Sequence, residues 1–301
     1  MLHIGMLKEQ LQKENVNAFL VYQNGEMIAE YYQPEEYSTN LAKINSITKS
    51  IMTTLIGIAI DKGYLPDIHL PIGNFFPHIP KEKENITIYH LLTMTTGEDW
   101  KEFENGVLFP SFFVKSKNWV DYILKRPLVC KPGTAMNYHS GSSHLLSYIL
   151  QSAANMPAAK FAEEYLFKPL GIADYMWEQD PQGIYIGGFG MMMKPADLLK
   201  IGLLYLHGGI WQGSQLLSPH WVRQSTSPLF TTYRHIGSYG YHWWVIDKNT
   251  FQIPYHVYFA MGYGGQYIIV IPEMQLTAVI SSCMPKRGLV PLKLFIESLA
   301  S

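Results

Sequence analysis

The chain has 301 residues, 48% of them hydrophobic and 16% charged, with a formal charge of −1 from 23 basic and 24 acidic side chains. That balance excludes the concentrated positive field that nucleic acid or an anionic membrane needs, and the length allows one large domain or two smaller ones. The two cysteines, Cys130 and Cys283, fall in no CxxC or Cys/His spacing, so two buried thiols are expected, with no structural zinc.

In chain order, Ile4, Leu7 and Leu11 lie at helical spacing with lysines and acids between them. This segment lacks the apolar core of a signal peptide, and the chain is expected to be soluble and cytoplasmic. Ala18 to Tyr22 and Met27 to Tyr32 flank the dipeptide Asn24-Gly25 and predict a β-hairpin. The stretch NSITKS then opens an apolar run, Ile51 to Ile60, which predicts a helix too short to span a bilayer.

From about Asp61 to Lys200 the periodicity is helical. IYHLLTMTTG, SKNWVDYILKRP, SGSSHLLSYILQSA, AAKFAEEYLFKPLG and KPADLLKIGLLYLHGG each end on Gly, Pro or a polar break. YGYHWWVI, YHVYFAM, QYIIVIP and LTAVISS predict short strands near the C-terminus, and Leu289 to Leu299 a closing helix. Strands at both ends with helices between them predict an α+β fold: an antiparallel sheet flanked by helices, with an inserted, mostly helical region. The expected division is residues 1–60 with 201–301 as the sheet domain and 61–200 as the helical domain, with the site at their interface.

Within NSITKS, Ser46 and Lys49 stand three residues apart, so a helix starting there places them on one face. Two readings follow. Serine is a good N-cap and lysine is often solvated. Alternatively, Ser46 is a nucleophile and Lys49 its base, which requires burial to lower the lysine pKa; the helix start would favour a developing oxyanion. Downstream, PGTAMNYHSGSSHLL sets Tyr138 and Ser140 in a loop that opens a helix. Gly262-Tyr263-Gly264-Gly265 forms a glycine-rich corner before a strong strand, where backbone N–H groups can approach a ligand.

These elements resemble, in order, those of the serine hydrolases of the penicillin-binding protein and class C β-lactamase superfamily. In style they are most similar to family VIII esterases and 6-aminohexanoate-dimer hydrolases. The resemblance covers NSITKSIMTTLIGIAIDKG, IYHLLTMTTG, PGTAMNYHSGSSHLL, KPLGI, GGFGMMMKPADLLKIGLLYL and GYGGQYIIVIPE. It implies a β-lactamase/transpeptidase-like fold, an acylated Ser46, Lys49 as base and Tyr138 as proton relay. It also implies an oxyanion hole from the N–H groups of Ser46 and Tyr263, with Ser140, Gly262, Gly264, Gly265 and Gln266 at the substrate. The implied substrate is a small ester or amide, with no metal or cofactor.

Two departures bear on the substrate. The chain has no Lys-Thr-Gly or His-Thr-Gly, and Ser140 stands where many β-lactamases have asparagine. Both favour an esterase or amidase over a β-lactamase or D-alanyl peptidase. A slowly acylating binding or sensor module of the same fold is the other reading.

No His-x-x-x-His zinc pair or Gly-x-Ser-x-Gly elbow is present. His139 and His144 are expected to pack rather than to touch substrate. Glu98, Asp99, Glu102 and Glu104 read as a solvated loop, the alternative being a contact with a substrate amine. Trp100, Trp177 and Trp243 read as core or as pocket walls. Gly188, Phe189 and Gly190 read as a structural turn.

Overall fold

The structure is a computed structural model that describes residues 3–104, 107–108, 111–233 and 236–299. Eight strands form the main sheet. Two are N-terminal, β1 (Val16–Gln23) and β2 (Glu26–Tyr32). Six are C-terminal: β3 (Phe230–Thr231), β4 (Gly237–Tyr239), β5 (Trp244–Ile246), β6 (Tyr258–Gly262), β7 (Gln266–Ile271) and β8 (Leu276–Ser282). Their spatial order is β3-β4-β5-β6-β7-β8-β1-β2, each neighbouring pair antiparallel. Both termini therefore build one sheet, as the distribution of strand signals predicts. The Asn24-Gly25 turn has φ of 50° and 90°, the left-handed pair that a two-residue hairpin needs.

Strands β7 and β8 are buried along their whole length, which accounts for their unbroken apolar composition. On one face, Phe19, Val21, Ile269 and Ile280 pack with Leu7 and Leu11 of helix α1 (Ile4–Lys13) and with Phe295 and Ile296 near the C-terminus. The alternate residues Ala18, Leu20, Ile268, Val270 and Val279 face the other way, into the larger core.

That larger core holds helix α2 (Ile47–Asp61), α3 (Ser140–Ala154) and α4 (Pro195–Leu206). Helix α4 runs through residue 200 and packs on β7 and β8. Helix α2 is buried from Ile47 to Ala59, on every side, between α3 and β6. A helix apolar all round belongs in an interior, and its one lysine is carried there with it. Helix α5 (Val290–Glu297) closes the chain beside α1.

Cys130 and Cys283 are exposed free thiols, contrary to the buried positions expected from the sequence. Cys283 follows the end of β8, and Cys130 is held by its backbone, whose N–H donates to the Gly97 carbonyl at 3.2 Å. Neither position turns the side chain inward. Among the described residues, no helix is long and apolar enough to cross a membrane.

Candidate active site

Ser46 stands at the N-cap position of α2, yet its hydroxyl makes no capping hydrogen bond. The first helical N–H groups are satisfied otherwise: Ile47 N donates to the Ile44 carbonyl at 3.2 Å and Thr48 N to that of Asn45 at 3.1 Å. The Ser46 hydroxyl instead accepts from Lys49 Nζ at 2.9 Å. Lys49 is 1% exposed, and its ammonium also donates to the Gly188 carbonyl at 2.7 Å. Burial lowers its pKa to about 8, against a smaller upward pull from Glu102. The arrangement is neither a capping serine nor a solvated lysine.

Tyr138 completes the group. Its hydroxyl is hydrogen-bonded to Ser46, and its ring centroid lies 4.9 Å from Lys49 Nζ. Burial, with the charge of Glu102, holds its pKa well above that of a free phenol, so the resting side chain is protonated. The ring stacks on Trp244 at 5.6 Å.

A cavity of about 470 Å³ opens over these residues. Ser46 and Tyr138 line it, as do Glu102, Phe103, Tyr233 and Trp244. A second wall is the turn Gly262-Tyr263-Gly264 together with residues 285–290, which include Lys286 and Arg287. The turn is fixed beside the nucleophile by a hydrogen bond from Asn45 Nδ2 to the Tyr263 carbonyl, 2.7 Å. Close approach is the reason for glycine at 262, where a Cβ would stand 2.2 Å from the Ile44 carbonyl oxygen. Among the described residues no backbone carbonyl accepts from the N–H of Ser46 or Tyr263.

Three residues expected to meet substrate do not line the cavity. The Ser140 hydroxyl and N–H both go to the Glu102 carboxylate, the latter at 2.9 Å, because α3 begins there and turns Ser140 toward the interior. Gln266 is buried between β7 and β8, where its side chain bonds Ser281 and the Ser282 carbonyl. Gly265 packs under Ser282, whose hydroxyl lies 2.3 Å from where a Cβ would be.

The acidic segment is not the solvated loop expected of it. Glu98 is buried against Lys83 and His139, and Glu102 is buried against Ser140 and Trp100. Asp99 pairs with Arg126 at 3.1 Å, and the Glu104 side chain lies outside the described residues. His139 stacks on Trp100 at 3.9 Å, and His144 meets Asp180 at 3.1 Å; both are packing residues. Trp100, Trp177 and Trp243 are core, while the wall position belongs to Trp244. Sequence reasoning passed over Trp244, placed Glu102 in a solvated loop with contact to a substrate amine as the alternative, and took Gly188 only as part of a turn. Only the neighbouring tryptophan hints that Glu102 turns inward.

An antiparallel sheet built from both ends of the chain, with α2 and α4 packed on it, is the β-lactamase/transpeptidase-like fold. The Beta-lactamase family profile matches residues 9–287, and the chain belongs to that family. It is similar to the 6-aminohexanoate-dimer hydrolase of Paenarthrobacter ureafaciens, 24% identical over 93% of this chain and 75% of that protein. Its fold is shared with the octameric penicillin-binding protein homologue from Pyrococcus abyssi (TM-score 0.79, 18% identity, 99% of this chain and 77% of that one). It is shared also with EstCE1, a hydrolase with promiscuous acyltransferase activity (TM-score 0.77, 15% identity, 99% and 95%).

Proposed function

We propose that the protein is a serine hydrolase that cleaves a small ester or amide through an acyl-enzyme on Ser46. The observation that carries this reading is the 2.9 Å contact between Lys49 Nζ and Ser46 Oγ at the floor of the cavity. With its pKa near 8, Lys49 is neutral in about a tenth of molecules at pH 7, enough to serve as a general base. The names of the hydrolases it resembles support the same chemistry.

In this mechanism the neutral Lys49 takes the Ser46 proton as Oγ attacks the carbonyl carbon. The oxyanion accepts hydrogen bonds from the N–H groups of Ser46 and Tyr263, an arrangement worth about 3 kcal/mol per donor in other hydrolases. Tyr138, protonated at rest, gives its proton to the leaving oxygen or nitrogen and regains one from the Lys49 ammonium. Water then attacks the acyl carbon, with the same groups moving its proton, and the acid leaves. Gly262 and Gly264 give the substrate an unobstructed backbone edge. Ser140, Gly265 and Gln266 support that edge and Glu102 from behind.

The 262–265 turn lacks the side-chain cation of a Lys-Thr-Gly motif, which favours an ester or amide over a β-lactam, while the cations that line the cavity are Lys286 and Arg287. Intact-mass measurement after exposure to a p-nitrophenyl ester and to a fluorophosphonate tests the reading. An adduct and turnover that vanish in Ser46→Ala support it. No adduct with either reagent, or with a penicillin, replaces it with a binding module.

A further inference from the structure

Glu102 lines the cavity and is 5% exposed. Its Oε2 accepts from the Trp100 indole at 2.6 Å and from Ser140 N at 2.9 Å, and its Oε1 from the Ser140 hydroxyl. All three donors are neutral. Among the described residues no lysine, arginine or histidine forms an ion pair with it. The charge that reaches it is that of Lys49, whose pKa it draws upward without forming an ion pair, and neutral donors offset only part of the cost of taking a carboxylate from water. Had the position only to hold Trp100 and Ser140, a glutamine would serve: its oxygen accepts from both N–H groups and its amide donates to the hydroxyl.

Lys286 and Arg287 also line the cavity, but the aromatic side chains that line it with Glu102 suit a cation. Beside Glu102 the cavity is walled by Phe103, Tyr138, Tyr233 and Trp244, whose ring faces attract positive charge. Ring stacking of Tyr138 on Trp244 and on Phe103 turns these into a continuous aromatic surface.

We propose that Glu102 receives a protonated amine of the substrate, so that the preferred esters or amides carry an ammonium group within reach of the Tyr138 wall. This specificity rests on the hydrolase reading for turnover, but the binding it requires does not.

The test compares isosteric pairs. On the acyl side these are p-nitrophenyl 4-(dimethylammonio)butanoate and p-nitrophenyl 5-methylhexanoate. On the alcohol side they are the 3-(dimethylammonio)propyl and 4-methylpentyl esters of butanoic acid. In at least one pair wild type is expected to favour the ammonium member by about tenfold or more in kcat/KM, the scale of one charge-assisted hydrogen bond. Glu102→Gln, which can keep all three hydrogen bonds, is expected to bring that ratio close to one. Because a ratio is read, any general loss of activity cancels.

Equal use of both members by wild type, in both pairs, overturns the proposal while leaving the Ser46 chemistry standing. Should no ester turn over, the hydrolase reading fails. The proposal is then judged by calorimetric affinity for the matching methyl ketones: a tenfold preference for the ammonium ketone, lost in Glu102→Gln, upholds it, and no preference overturns it.

Discussion

Lys49 and Gly188 lie 139 positions apart and are joined by a 2.7 Å hydrogen bond, from the lysine ammonium to the glycine carbonyl. That bond and the Ser46 contact fix the amine at two points inside a core of apolar side chains. The same burial that holds the lysine also lowers its pKa to about 8, so packing and reactivity have one cause here.

If Lys49 is the base, Lys49→Ala should retain a folded protein and lose acylation by at least about a hundredfold, the usual worth of a general base. Adduct formation with a fluorophosphonate, read by intact mass beside circular dichroism, measures both. Normal acylation of the variant would remove Lys49 from the mechanism.

Activity should follow the neutral form of Lys49. The rate of acylation is expected to climb with pH through about 8 and then level off. Glu102 pulls the Lys49 pKa upward, so Glu102→Gln should move this rise to lower pH. A pH profile of kcat/KM with a neutral ester decides it, and an unmoved or upward-moved rise counts against the coupling.

The buried lysine should also cost stability. Its folded pKa of about 8 lies below the ordinary 10.5, so between those values the unfolded chain binds more protons and stability rises with pH. The penalty, on the order of 3 kcal/mol, is fully present below pH 8 and relieved toward pH 10.5. Wild type should therefore gain Tm relative to Lys49→Met as pH is raised from 7 to 10. A constant difference would contradict this account.

Tyr138→Phe keeps the ring stacked on Trp244 and removes only the hydroxyl. The loss should be greatest where the leaving group needs a proton: about a hundredfold for an alkyl ester or anilide, and much less for a p-nitrophenyl ester. Equal losses across these substrates would argue against proton donation by Tyr138.

Gly262→Ala would drive a Cβ to 2.2 Å from the Ile44 carbonyl oxygen, and the β6–β7 turn would have to move away from Ser46. A destabilisation of about 1–3 kcal/mol is expected, together with a fall in acylation rate. Denaturant unfolding and nitrophenol release measure the two effects, and a variant with full activity would show that the turn can move without consequence.

Much of this architecture was legible locally. The Asn24-Gly25 hairpin, the helix after Ser46 and the C-terminal strands follow from turn residues and hydrophobic period, both of which act within a few residues. The acidic segment 98–104 was not legible. Glu98 and Glu102 look like exposed loop acids until Lys83, His139, Trp100 and Ser140 are brought to them. The cysteines misled for the converse reason: an apolar side chain in a backbone-pinned turn need not be buried.

The sequence by itself determined the spacing of Ser46 and Lys49, because three residues along a helix share a face whatever surrounds them. It determined too that both ends of the chain would supply the sheet. The tertiary structure alone decided that Lys49 is dry, that Gly188 anchors it and that Glu102 faces the cavity rather than solvent. Burial and electrostatic environment are sums over distant segments of chain, and no local pattern contains them.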